Sequence, residues 1–271
     1  QSKEFADFVK SLGFYSFTAN AFPYSKFHAA PVKTTVYTPD WTEQDRLDYT
    51  NAVADTLVHL MPECSEGSIS TLPGSYKASF NQKNIRELQR NILLAATHLR
   101  HLKIKTGRHI RLAFEMEPDC LWESPAEFIE FYDKYLRDDD VSEFIGVCFD
   151  TCHQELLGSK PGSGIGMFIE HGVKVAKIQL SSAIKAPDAA SKKTLEKNFL
   201  DSIYLHQTRA FPNGADIIKW PDLPDALKSR EREMPWITHF HIPVFMEDMQ
   251  GGLEPANIEL KAALEIVRMD N

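Results

Sequence analysis

Ile85, Leu88, Ile92, Ala95, Leu99 and Leu102 recur three or four residues apart, and the pattern stops at Gly107. That spacing predicts a long amphipathic helix with one apolar face. Short runs of a different kind flank it. Residues 67–71 and 110–114 are strand-like, bounded by turn residues. The same alternation continues downstream. Ser124-Pro125-Ala126-Glu127 opens a helix with an N-cap, a proline in the first turn and a glutamate at the third position. Strand-like runs follow at 144–149, 173–180 and 236–244, with a short helix before Gly172 and another over 221–228. Strand and helix in alternation predict parallel βαβ units, hence an α/β fold. We count roughly six strands in one domain spanning 1–271, where a full barrel has eight. The chain opens with a helix (4–12) and ends with one (255–267), so the first and last barrel strands are not evident.

Other local signals are weaker. Residues 14–20 alternate, Thr42 with Asp45 resembles a capping pair, and Pro23 to Pro39 reads as a loop. Residues 158–166 form a Gly-rich loop without the Lys-Ser/Thr of a phosphate loop, and 181–213 is a long polar stretch. Lys192-Lys193 reads as solvated.

The strand ends carry the chemistry. Glu115 and Glu117 close one strand, Asp150 and His153 follow the next, Gln179 ends a third, and His239 and His241 lie on a fourth. Residues two apart on a strand share a face. Glu115 and Glu117 therefore point the same way, as do Cys148 and Asp150, Lys177, Gln179 and Ser181, and His239 and His241. Leu112, Phe114, Val147, Phe149, Phe240 and Ile242 fall on the opposite faces. Any one acid at a strand end is more often a helix cap or a solvated loop residue. Their coincidence on several strands points to a cation site of oxygen and imidazole donors. His59, His98, His101 and His171 fall on helices or their ends and read as surface residues.

Composition excludes several classes. A net charge of −8 over 271 residues, with no basic stripe, argues against a nucleic-acid partner. No apolar run reaches the ~18 residues of a membrane span. Cys64, Cys120, Cys148 and Cys152 are too few and scattered for a disulfide framework, so we expect reduced thiols in a cytoplasmic protein. No nucleophile elbow precedes a Ser-His-Asp order.

Glu-Met-Glu-Pro at 115–118, Asp-Thr-Cys-His at 150–153 and Lys-Ile-Gln-Leu-Ser-Ser at 177–182 together resemble the xylose isomerase-like TIM-barrel superfamily, which includes sugar isomerases, epimerases and endonuclease IV. Blocks at 18–24, 36–41, 67–71, 204–207 and 239–243 resemble one branch, the EboE-like metabolite traffic proteins. The resemblance implies a divalent metal (Mn, Mg, Zn or Co) at the C-terminal mouth, with Glu115, Asp150, Gln179, His239 and His241 as ligands. It also implies Glu117 as base, His153 beside the metal or substrate, and His206 orienting hydroxyls. The implied activity is isomerase- or epimerase-like, on a small polyhydroxylated, carbohydrate-like metabolite. The alternative is a non-catalytic metabolite-binding component of the same pathway. The sequence departs from the pattern in three ways. Gln179 stands where many relatives have histidine, and neither the last-strand glutamate nor the branch's opening strand with a histidine is evident.

Overall fold

A computed structural model describes residues 2–24, 32–212, 216–230 and 233–269. Most of the loop expected between Pro23 and Pro39 (25–31) and the end of the polar stretch at Asn213 lie outside them. Helix α1 (Ser2–Ser11) precedes strand β1 (Thr18–Asn20). Then come α2 (Gln44–Leu60), β2 (Glu66–Thr71), α3 (Ile85–Thr106), β3 (His109–Glu115), α4 (Pro125–Tyr135), β4 (Ile145–Asp150), the short α5 (Thr151–Glu155), α6 (Ser163–Glu170) and β5 (Lys174–Gln179).

These five strands form one parallel sheet in the order β1-β2-β3-β4-β5. A doubly wound sheet reverses its order once and places helices on both faces. Here the order never reverses, and right-handed crossovers then leave the helices on one face only. The result is half of an α/β barrel, an incomplete form of the expected TIM barrel.

The helix side is the core. Ile110, Leu112 and Phe114 of β3 and Ile145, Val147 and Phe149 of β4 pack with Leu88, Ile92 and Leu99 of α3 and Phe128 of α4, all buried. Each such side chain contributes ~1.5–3 kcal/mol on burial. Gly107, in the left-handed conformation, terminates α3. Ser124 and Glu127 form the expected capping box on α4. Thr42 does not cap α2: its hydroxyl donates to Asp40, and Glu43 holds the cap position without a side-chain bond. The inner face carries small or polar residues instead, among them Ser68, Ser70, Ala113, Gly146 and Cys148. A Cβ at Gly146 would stand 2.5 Å from the Lys174 carbonyl oxygen, so glycine lets β5 approach β4 closely.

The second half departs from the sequence expectation. After Gln179 the chain leaves the parallel sheet and builds β6 (Ser182–Ala186), α7 (Ala189–Phe199), β7 (Thr208–Ala210), β8 (Ile218–Trp220), α8 (Leu223–Lys228), β9 (Trp236–Ile242), β10 (Glu254–Ala256) and α9 (Ile258–Met269). Its strands form an antiparallel sheet in the order β10-β6-β9-β7-β8. The strand over 236–242 is therefore not another parallel βαβ strand, because its neighbours β6 and β7 run against it. The polar stretch after 181 contains two strands and a helix. Within it Lys192 is fully buried, not solvated: its ammonium donates to the Met234 carbonyl and sits 4.7 Å from the Trp236 ring centroid. In the Gly-rich segment, α6 already begins at Ser163.

Hydrogen bonds and ion pairs join the halves. The Thr151 hydroxyl donates to the Ser181 carbonyl (2.6 Å) and accepts from the Ser181 amide (2.9 Å) where the chain changes sheets. Arg209 of β7, fully buried, donates to Asp119 (2.8 Å) and Glu123 (3.3 Å) in the segment between β3 and α4. Among the described residues no helix is long and apolar enough to cross a membrane.

Candidate metal centre

The strand-end residues meet in a cavity of about 770 Å³ between the two sheets. Glu115, Glu117, Asp150, His153, Gln179, His206, His239 and His241 all line it.

Asp150 is the N-cap of α5. Its Oδ1 accepts from the amides of Cys152 (2.9 Å) and His153 (3.3 Å) and from the Ser181 hydroxyl (3.1 Å). The bland reading of this residue as a cap is thus correct, yet its Oδ2 remains turned toward the cavity groups, 4.0 Å from His241 Nδ1. Burial pushes the Asp150 carboxyl up. The rings of His153 and His241, the Gln179 amide and the His153 backbone amide outweigh it and hold the pKa below the usual value. Its neighbour behaves oppositely: burial, then Asp150 and Glu117, push Glu115 well above the usual range. Gln179 lies between the two, its Nε2 donating to Glu115 Oε1 (2.7 Å) and Asp150 Oδ2 (2.8 Å). As placed, Gln179 offers hydrogens to the carboxylates rather than an oxygen to a cation.

The imidazoles converge more tightly. His153 Nε2 lies 3.1 Å from His239 Nε2, which lies 3.0 Å from His241 Nε2. Each tautomer is set by the other ring nitrogen. His153 Nδ1 donates to the Met116 carbonyl (3.2 Å), and His239 Nδ1 donates to the Gln207 amide oxygen (2.6 Å). Both acceptors lack hydrogens to give, so the two Nε2 atoms face one another as lone pairs. Burial above all lowers the pKa of His153 to about 4 and that of His239 well below its usual value. At neutral pH no proton relieves the contact; a cation does. Metal–nitrogen bonds of ~2.1 Å at octahedral to tetrahedral angles place ligand atoms roughly 3.0–3.4 Å apart. The donor set suits zinc, manganese, cobalt or iron.

Among the described residues, donor atoms within 4.8 Å of one another form three groups: Glu117, His153 and His239; Asp150, His153 and His241; and Cys152, His239 and His241. Glu115 stands beside them, its Oε1 3.4 Å from His153 Nδ1. His206 lies apart from the cluster. Its Nδ1 lies 2.9 Å from the His239 carbonyl oxygen and its Nε2 2.7 Å from Asp201 Oδ2, and its ring stacks 3.7 Å from Phe240.

Glu117 has its own support. The Tyr37 hydroxyl (2.7 Å) and Gln207 Nε2 (3.3 Å) both donate to its Oε1. Burial, partly offset by those donors, pushes its carboxyl up to about 7, the range in which an acid or base exchanges protons near neutrality. Sequence reasoning assigned no role to Tyr37, Gln207, Ser181 or Cys152. Tyr37 and Gln207 lie within the sequence blocks 36–41 and 204–207.

No family model and no curated protein matches the chain. Distant likenesses among solved structures include three. The first is IolI protein with a binding zinc atom, at 13% identity, covering 61% of this chain and 51% of that one, with a TM-score of 0.37. The chain thus spans about half the length of that protein. The second is the probable 3-DHS dehydratase AsbF, involved in petrobactin synthesis, from Bacillus anthracis, at 11% identity with 100% and 72% coverage and a TM-score of 0.40. The third is SacUVDE, at 12% identity with 75% and 77% coverage and a TM-score of 0.30.

Proposed function

We propose that residues 1–271 form one xylose isomerase-like domain that holds a divalent metal and catalyses an isomerase- or epimerase-type reaction on a small polyhydroxylated metabolite. The observation that carries this reading is the pair of lone-pair nitrogens on His153 and His239, 3.1 Å apart, flanked by Asp150 and Glu117. His153, His239 and His241 are the nitrogen ligands in this reading, with Asp150 as the carboxylate. Glu115 and Gln179, the other two ligands the resemblance implies, are an acid–amide pair that orients Asp150.

A bound ion supplies Lewis-acid polarisation of neighbouring carbonyl and hydroxyl oxygens. The chain's own residues do the rest. Glu117, with both its donors on Oε1, takes or returns a proton at Oε2. Tyr37 and Gln207 hold that carboxylate in place. His206, fixed by Asp201, orients the Phe240 and His239 segment of the wall. The finer placement among EboE-like metabolite traffic proteins, in a secondary-metabolite pathway, is supported by the sequence blocks, and the cytoplasmic location by the cysteine usage.

One observation favours a second reading, a binding component without turnover: the Gln179 amide nitrogen sits between Glu115 and Asp150 where a ligand could stand. Elemental analysis of the purified protein, then deuterium incorporation into a panel of ketoses in heavy water, separates the two. Stoichiometric metal with exchange that is lost in Glu117→Gln supports the enzyme. Metal without exchange supports the binding component. Absence of metal under all loading conditions overturns the enzyme reading.

A further inference from the structure

The cavity is lined by two unlike sets of residues, and from this we propose that its ligand is an uncharged amphiphile. A hydroxyl- or carbonyl-bearing head of the class proposed above would be joined to an apolar alkyl, prenyl or aryl group, in place of the phosphate of a sugar phosphate. The proposal rests on the preceding reading for the head and on independent observations for the tail.

One set is Glu115, Glu117, Asp150 and the imidazoles. The other is apolar: Phe22, Val32, Val36, Leu180, Leu205 and Val244. Leu180 and Val244 are 44% and 46% exposed, so this set leaves apolar surface open at the mouth. Among the described lining residues the one lysine, Lys33, is committed: its ammonium donates to the Tyr204 carbonyl (2.6 Å) and to Asp222 (2.6 Å). The amides at the start of α5 are taken by Asp150. A phosphate seeks free Arg, Lys or amide donors; among the described lining residues it would shed water against three acids or against hydrocarbon, with no such donor gained. A volume of about 770 Å³ accommodates a ring with a short chain.

Calorimetric titration of the full chain, both zinc-loaded and chelator-treated, with methyl, butyl and hexyl β-D-glucoside and with glucose 6-phosphate tests this. Affinity should rise roughly fourfold per added methylene, the equivalent of ~0.8 kcal/mol per buried CH₂. Glucose 6-phosphate should bind more weakly than methyl glucoside. Leu180→Asp and Val244→Asp, at exposed positions that spare the fold, should flatten the dependence on chain length. No dependence in either form, tighter binding of the phosphate, or a dependence unchanged in both variants overturns the proposal. Chain-length dependence in a protein that takes up no metal would sink the metal-dependent reading and leave this one standing.

Discussion

His153 follows a strand of the parallel sheet, His239 lies on a strand of the antiparallel sheet, and their Nε2 atoms stand 3.1 Å apart. Each ring gives its Nδ1 hydrogen to an acceptor that cannot donate in return. The close contact of two unprotonated nitrogens is stable around a cation and repulsive without one.

Replacing either histidine should therefore remove the ion while leaving the helices and sheets intact. His153→Ala and His239→Ala are each expected to bring bound metal from stoichiometric to trace, measured by elemental analysis, with far-ultraviolet circular dichroism unchanged. Full metal in both variants refutes the site.

Gln207 tests the support behind that ligand. It is fully buried, accepts from His239 and donates to Glu117 and Tyr37. Losing such a partner weakens metal binding ~10–100-fold. Gln207→Leu should show that loss in competition with a fluorescent zinc chelator, and Gln207→Glu, which keeps an acceptor for His239, should recover most of it. Equal affinities in all three proteins would remove Gln207 from the account.

Glu117 gives the chain a pH dependence of definite sign. Its carboxyl is pushed up to about 7 from an ordinary value of 4.5. Between those values the folded chain keeps a proton that the unfolded chain has released, so this group's contribution to stability is lost as pH rises through the window. Glu117→Gln removes the titration. In chelator-treated protein the variant should gain ~3 kcal/mol on the parent between the two limits, at ~1.4 kcal/mol per pKa unit, read from urea unfolding at a series of pH values. Parallel curves would show that Glu117 titrates normally.

Arg209 carries the junction between the sheets. Its guanidinium also donates to the carbonyls of Thr208 and Trp220. Removing one partner of a buried ion pair costs ~3–5 kcal/mol because the other charge is left uncompensated. Arg209→Met should lower the urea midpoint accordingly. A change below about 1 kcal/mol would mean that Lys219, which also donates to Glu123 (2.8 Å), suffices alone.

Much of the first half was legible in the sequence because its signals are local. The spacing from Ile85 to Leu102, the Ser124–Glu127 cap and the period-two faces of β3 and β4 depend on neighbours a few residues away. The inward side of Glu115, Asp150 and Gln179 followed from the same alternation. Whether β9 pairs parallel or antiparallel was not legible, since its partners decide that, and β6 and β7 lie inside a polar stretch. Lys192 misled for a related reason: its ammonium finds a carbonyl and a ring far along the chain. Gln207 bonds Tyr37 across 170 positions, a pairing that no local pattern announces.

The change of sheet at Thr151 and Ser181 has a mechanical result. The nitrogens of His153 and His239 belong to segments 86 positions apart, so an ion held between them would act as a rivet that clips a long excursion of the backbone shut. Withdrawing it would restore freedom to that whole excursion, and proteases should then cut first in the antiparallel part while the parallel strands stay whole.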